Sequence, residues 1–206
     1  MKYIKIFLIL IIPFILTACF IPERRLYFSW NRPQKIKDTC DYEFNVNTNI
    51  SLIKTDRGYL LDTDKEIYYR LGEEKPYNID DYYYVMNEVM TFMSNNRNCI
   101  LIVEGHADIT GHGNGDINYR LSERRASVIR DVILSSGFFH KRVQIFAYSD
   151  IIPKYITNIS QNRRVNFVAL KCERELSNYL NYYSNYYSNI TAFSSNITAF
   201  SSNITE

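Results

Sequence analysis

Neither sign of charge is in excess: 24 Lys and Arg stand against 22 Asp and Glu, a formal net charge of +2. That balance builds no polycationic surface, so nucleic acid is not an expected partner. Cysteine is scarce, at 4 residues, and none falls in a C-x-x-C or Cys/His spacing that would make a zinc site. The apolar stretch near the start, Ile6 to Leu16, is too short to span a bilayer comfortably as a helix. No Gly-x-Ser-x-Gly and no convincing Cys/His pair occurs, which leaves nucleophilic catalysis without a signature. The chain is not short of core-forming residues, with 46% hydrophobic content.

The two ends are set apart from the middle. In MKYIKIFLILIIPFILTAC, Lys2 and Lys5 form a positive n-region, an apolar stretch follows, and small residues come at once after it. This is the pattern of a secretory signal. Leu16-Thr17-Ala18-Cys19 resembles a bacterial lipobox. The resemblance implies a lipoprotein: residues 1–18 are removed, Cys19 carries diacylglycerol and an acylated amine, and several chains on one residue give lasting anchorage. Phe20 after that cysteine implies sorting to the outer membrane, with the rest of the chain facing the periplasm. Residues 19–45, with Pro22 and Pro33 among scattered charges, read as a tether. Cys40, Cys99 and Cys172 then remain, so at most one intramolecular disulfide forms, and the pairing stays open. At the other end, NYYSNYYS (181–188) is a tandem tetrad and SNITAFS recurs with a period of seven. Ile190, Phe193, Ile197, Phe200 and Ile204 fall on a and d spacing. Ser, Asn and Thr are poor helix formers, so residues 174–206 are expected to be a mobile low-complexity tail that a partner orders.

The middle is about one domain long. Ile50–Ile53 and Tyr59–Leu61 flank a Gly-ended turn and predict a hairpin. Asn78 is a candidate cap for a helix from Ile79 to about Ser94, with Ile79, Tyr83, Met86, Val89, Met90 and Met93 on its apolar face. Cys99 to Val103 is a continuous apolar run, as in a strand buried on both faces. A second helix runs from near Asn118 to Ser135, with Leu121, Ala126, Ile129, Val132 and Ile133 inward, and Gly137 stops it. Val143-x-Ile145-x-Ala147 and Val165-x-Phe167-x-Ala169 alternate as strands. The fold class is therefore α/β, a βαβαββ sandwich of one mixed sheet with helices packed on it.

Three motifs lie on these elements: Glu104-Gly105-His106-Ala107-Asp108-x-x-Gly111, Asn118-x-x-Leu121-Ser122-x-x-Arg125-Ala126, and Asn162-Arg163-Arg164-Val165. Their combination and order over residues 46–173 resemble the OmpA-like peptidoglycan-binding domain. The resemblance implies non-covalent binding of a diaminopimelate-type stem peptide, no catalysis, and neither cofactor nor metal. It implies a site of Asp108, Arg125, Asn118, Asp64, Arg163 and Arg164. The chemistry is apt, because diaminopimelate offers a carboxylate and an ammonium together. Arg125 suits the first through bidentate bonds, and Asp108 suits the second. Three departures alter the rim. Ala107 stands where the family has Thr, Ile117 where it has Tyr, and the Gly111 to Asn118 loop is two residues longer. In addition, some ten extra residues, YYRLGEEKPY (68–77), follow the loop that holds Asp64.

Two other readings compete. The lipobox, single domain and added tail are also similar to the small lipoprotein of the type IVB (Dot/Icm) secretion core. That likeness implies protein partners in an envelope complex, for which Tyr27-Phe28-Ser29-Trp30 is a docking candidate. His106, Asp108, His112 and Asp116 suggest a metal-dependent peptidoglycan hydrolase, but three of them share one glycine-rich loop, poor support for a preorganised centre. His106 is better read as a structural residue at a strand end.

Overall fold

The computed structural model describes residues 40–46, 48–110 and 115–202, and within its third helix it describes side chains as far as residue 188. The expected signal, the Cys19 lipidation site, most of the tether and His112 lie outside the described residues.

The hairpin forms as β1 (Ser51–Thr55) and β2 (Gly58–Asp62). Gly58 closes the turn at φ +134°, and a Cβ there would stand 2.5 Å from Leu170 Cδ2, so this position favours glycine. A two-residue strand β3 (Ile67–Tyr68), which no alternation foretold, precedes α1 (Ile79–Asn95). Then come β4 (Ile100–Gly105), α2 (Gly115–Ser135), β5 (Val143–Ala147), β6 (Arg164–Leu170) and α3 (Glu173–Ser202). One sheet carries every strand, in the order β1-β2-β6-β4-β5, with β3 also on β6. Among the described residues only the β4–β5 pair is parallel, which makes the sheet mixed as expected. Among the described residues, no helix is long and apolar enough to cross a membrane.

All six residues of β4 are buried, because both faces of the sheet are covered. Leu101 and Val103 join Val165, Phe167 and Ala169 under α1 and α2. Ile100 and Ile102 join Val168 and Leu170 on the other face, where Tyr148 and Tyr179 close the cluster. The apolar face of α1 is rotated from the expected one. Val85, Met86, Val89, Phe92 and Met93 are buried, whereas Ile79 and Tyr83 are 49% and 66% exposed. Asn78 does precede the helix, but its side chain does not cap it. It accepts from Tyr68 N and donates to Glu66 O and Asp81 Oδ2, tying β3 to α1.

The expected loose tail begins as structure. α3 lays Leu176, Tyr179 and Tyr183 on the second face of the sheet. Tyr179 Oη donates to the Glu104 carboxylate at 2.8 Å, and Tyr183 Oη donates to Ala147 O at 2.9 Å. Tyr179, just before the tandem tetrad, and Tyr183 within it hold the first half of the segment down. Cys40 and Cys172 form the disulfide, 132 residues apart, while Cys99 is buried and free. A loop that long is worth roughly 5 kcal/mol in the chain-entropy picture. The bond joins the start of the described domain to the junction between β6 and α3.

Candidate functional site

The site is assembled where β4 ends. Gly105 lets α2 come down on the strand: a Cβ there would lie 1.8 Å from Ser122 O. Ser122 Oγ accepts from Ser149 N at 3.1 Å, so the serine of the second motif ties α2 to the loop after β5. Beyond Gly105, His106 N donates to Arg164 O and Ala107 N to Ser149 O. These bonds hold the chain extended until Asp108.

Four of the six expected site residues come together here. Asp108 is 3% exposed, and its Oδ2 accepts from Arg163 Nη1 at 2.6 Å and from Thr110 Oγ1 at 2.9 Å. Asn118, buried at the start of α2, donates through Nδ2 to Asp108 O at 3.1 Å. Arg163 also donates from Nε to Tyr69 O. Arg125 is fully buried and lies against the Tyr69 ring, 4.9 Å from its centroid. Its Nη1 donates to His106 O at 2.9 Å, Nε to Glu73 O at 2.9 Å and Nη2 to Arg70 O at 3.2 Å. Burial above all, with the neighbouring Arg163, lowers the Arg125 guanidinium to about 10 against the opposing pull of Tyr69, Asp108 and Glu74. The group is therefore still a cation at neutral pH.

The other two do not join them. Asp64 is exposed on the loop between β2 and β3, and its hydrogen-bond partner is the Tyr84 hydroxyl on α1. Arg164 is 2% exposed and faces the α3 side of the sheet. Its bonds go to Asn166 Oδ1, Asn162 O and Ile152 O, all of them fold contacts. Asn162 of the same motif accepts from Lys154 N and Tyr155 N, and so pins the preceding loop.

His106 also points away from Asp108. It is fully buried, stacks on Tyr148 at 5.4 Å, and sits 3.3 Å from Asn166 Nδ2. Burial first, and the Arg164 charge second, push it down to about 4. Beneath α3, burial would raise the Glu104 carboxyl, but the contacts with His106 and Arg57 outweigh this and hold it at about 2. Arg57 bonds both oxygens of Glu104, at 2.6 and 3.2 Å. Among the described residues no three His, Cys, Asp or Glu side chains gather as a metal would require. The side chain of Asp116 and all of His112 fall outside them.

The backbone carbonyls of Arg70 and Glu73 were not foreseen as parts of the site. Carbonyls carry no residue-type signal. The only hint was that residues 68–77 are surplus to the family pattern.

What the cluster offers is one carboxylate and two guanidiniums at a strand end, the charge set that reads a zwitterionic group. No curated protein matches the sequence. Among solved structures, the OmpA-like domain of FopA1 from Francisella tularensis is 20% identical, covering 64% of this chain and 88% of its own, with TM-score 0.44. The C-terminal domain of Helicobacter pylori MotB is 18% identical, covering 60% of this chain and 98% of its own, with TM-score 0.47. The peptidoglycan-associated lipoprotein from Burkholderia pseudomallei is 16% identical, covering 52% and 91%, with TM-score 0.46. The model of the OmpA family matches residues 77–166, which run from the start of α1 into β6 and contain all three motifs. The hairpin, residues 68–76 and α3 lie outside that match, so the likeness to the OmpA family is carried by residues 77–166.

Proposed function

We propose that this protein is a non-catalytic envelope lipoprotein that holds peptidoglycan through a diaminopimelate-type stem peptide. One observation carries the reading: Asp108, Arg163, Arg125 and Asn118 converge at the end of β4, inside the segment that matches the OmpA family. In this reading Asp108 takes the ligand ammonium, and the two guanidiniums take its carboxylate. Cys19 supplies a lipid anchor after removal of residues 1–18, residues 19–45 are the tether, and the domain of residues 46–173 faces the wall from the outer membrane. Affinity per site is modest, and many copies on one sacculus supply avidity.

Sedimentation with purified diaminopimelate-type sacculi tests this. The wild-type chain should pellet with the wall. Asp108→Ala should lose about tenfold or more of that binding, equivalent to ~1.4 kcal/mol, while circular dichroism reports an intact fold. A wild-type chain that stays in the supernatant would sink the proposal.

The carbonyl cap on Arg125 favours a second reading, a structural lipoprotein of an envelope machine that touches the wall weakly. Recovery of the protein after mild solubilisation in a complex with other envelope proteins would support it. Recovery as a monomer bound only to the sacculus would refute it.

A further inference from the structure

Arg125 owes part of its burial to a segment outside the family match. Residues 69–76 fold back on themselves: Tyr69 pairs with Pro76 as an antiparallel bridge, Tyr77 N donates to Tyr68 O, and Glu73 N donates to Arg70 O. Gly72 makes the tip possible at φ +72°. Outside, Glu74 meets Arg124 on α2 at 3.0 Å, and the Arg70 guanidinium lies 6.0 Å from the Tyr77 ring centroid. Inside, the Glu73 and Arg70 carbonyls accept from Nε and Nη2 of Arg125. Nε and Nη2 form one edge of the guanidinium, the fork that a carboxylate grips with its two oxygens. The two carbonyl oxygens thus stand where the two oxygens of a ligand carboxylate would bond.

We propose that residues 70–74 are a strap that competes with the ligand carboxylate for the Nε/Nη2 edge of Arg125, so that the stem-peptide site is closed until the strap lifts. This rests on the reading of the cluster as a stem-peptide site. The competition is finely poised for a physical reason. A carboxylate is a charged acceptor and bonds a guanidinium more strongly than two neutral carbonyls do. Against that gain stand the strap's own turn and the Glu74–Arg124 latch. The latch is exposed on both sides, and such pairs are weak and screened by salt. Arg125 keeps its Nη1 bond to His106 O with the strap open, so the cation stays in place for the incoming carboxylate. If the strap is open in a tenth of the molecules or fewer, the apparent affinity is reduced by about tenfold or more.

The test is titration of a soluble disaccharide-tripeptide, with its diaminopimelate carboxyl free, into the full mature chain by calorimetry. One variant replaces residues 70–75 with two glycines, a length that still closes the Tyr69–Pro76 pair and is too short to bring a carbonyl to both Nε and Nη2 of Arg125. A second, Gly72→Val, keeps the chain length. It strains the tip, since a β-branched residue resists positive φ, yet a Cβ there meets nothing within 4 Å. Both should bind about tenfold or more tighter than wild type. If either folded variant binds the ligand no more tightly than wild type, the strap is not a competitor, and the peptidoglycan reading stands. If wild type and variants alike fail to bind, both readings fall.

Discussion

If α3 belongs to the fold, Tyr179 is the residue to change. It is fully buried, its hydroxyl lies 2.8 Å from Glu104 Oε1 and 2.9 Å from the Tyr148 hydroxyl, and its ring sits 4.7 Å from Phe146. Burial beside the Glu104 carboxylate pushes its own ionisation far up, so it acts only as a neutral hydroxyl. Tyr179→Phe keeps the ring and removes the bond to a charged acceptor, at a cost of about 1.5–3 kcal/mol. Arg57 still pairs with Glu104, so the carboxylate is not stranded. Tyr179→Ala also empties the space between the sheet and the helix, and costs at least the ~3–5 kcal/mol typical of a buried aromatic truncation. Urea unfolding followed by far-ultraviolet circular dichroism reads both values. The order should be wild type, Phe, then Ala. A Tyr179→Ala variant within ~1 kcal/mol of wild type would show that α3 is not part of the fold, because a substitution that mild is what an exposed, loosely attached segment gives.

Two further outcomes follow from the same network and from the strand end. His106 has a folded value of about 4 against an ordinary 6.5, so the unfolded chain binds its proton first. Stability from this group is whole above pH 6.5 and is lost as pH falls towards 4, by up to ~3 kcal/mol. Glu104, held at about 2, extends the loss below pH 4.5. Urea midpoints at pH 7 and pH 5 should differ clearly in wild type and less in His106→Gln, and equal losses would exclude His106 as the cause. Gly105→Ala places a methyl 1.8 Å from Ser122 O and 2.7 Å from Ser122 C. Both are backbone atoms, so α2 must move off β4, and the expected cost exceeds ~4 kcal/mol. A thermal melt within a few degrees of wild type would show that the helix yields more easily than the geometry allows.

Most of the sheet was legible because its residues keep simple periods. β4 is a continuous apolar run, β5 and β6 alternate, and α2 carries an inward stripe that the structure keeps at Leu121, Ala126, Ile129 and Ile133. α1 was legible as a helix but not in its orientation. Ile79 and Tyr83 fit the helical period, yet Val85 and Phe92 take the core side, and only the sheet decides between overlapping stripes. α3 was misjudged for a physical reason. Its Ser and Asn content argues against an isolated helix, but in proteins most helical stability comes from packing, and this helix rests on Tyr179 and Tyr183. The disulfide was not choosable, since residues 132 apart meet only through the fold. The site was half legible. Side chains that bond through charge left a pattern, whereas the carbonyls on Arg125 left none.

The same motifs are also asked to hold the fold, and this changes what each residue says about function. Gly105 is explained by the closeness of α2, Ser122 by its bond to Ser149 N, Asn162 by the loop it pins, and Arg164 by three fold contacts. Arg125, as capped here, could be explained by carbonyls alone. The Asp108–Arg163 pair resists such an account. Taking two charges from water costs several kcal/mol per ion, and well-packed apolar residues often serve stability as well or better. Asp108 is 3% exposed while its partner's side chain is 16% exposed, so the pair sits at the edge of the interior, where a ligand's charges can reach it without unfolding anything. A buried carboxylate at that edge, bonded by Arg163 and Thr110 and backed by Asn118, is costly as packing and apt as recognition. On the proposed reading, the functional weight of the three motifs therefore falls on Asp108 and Arg163 first, and on Arg125 only once the proposed strap opens.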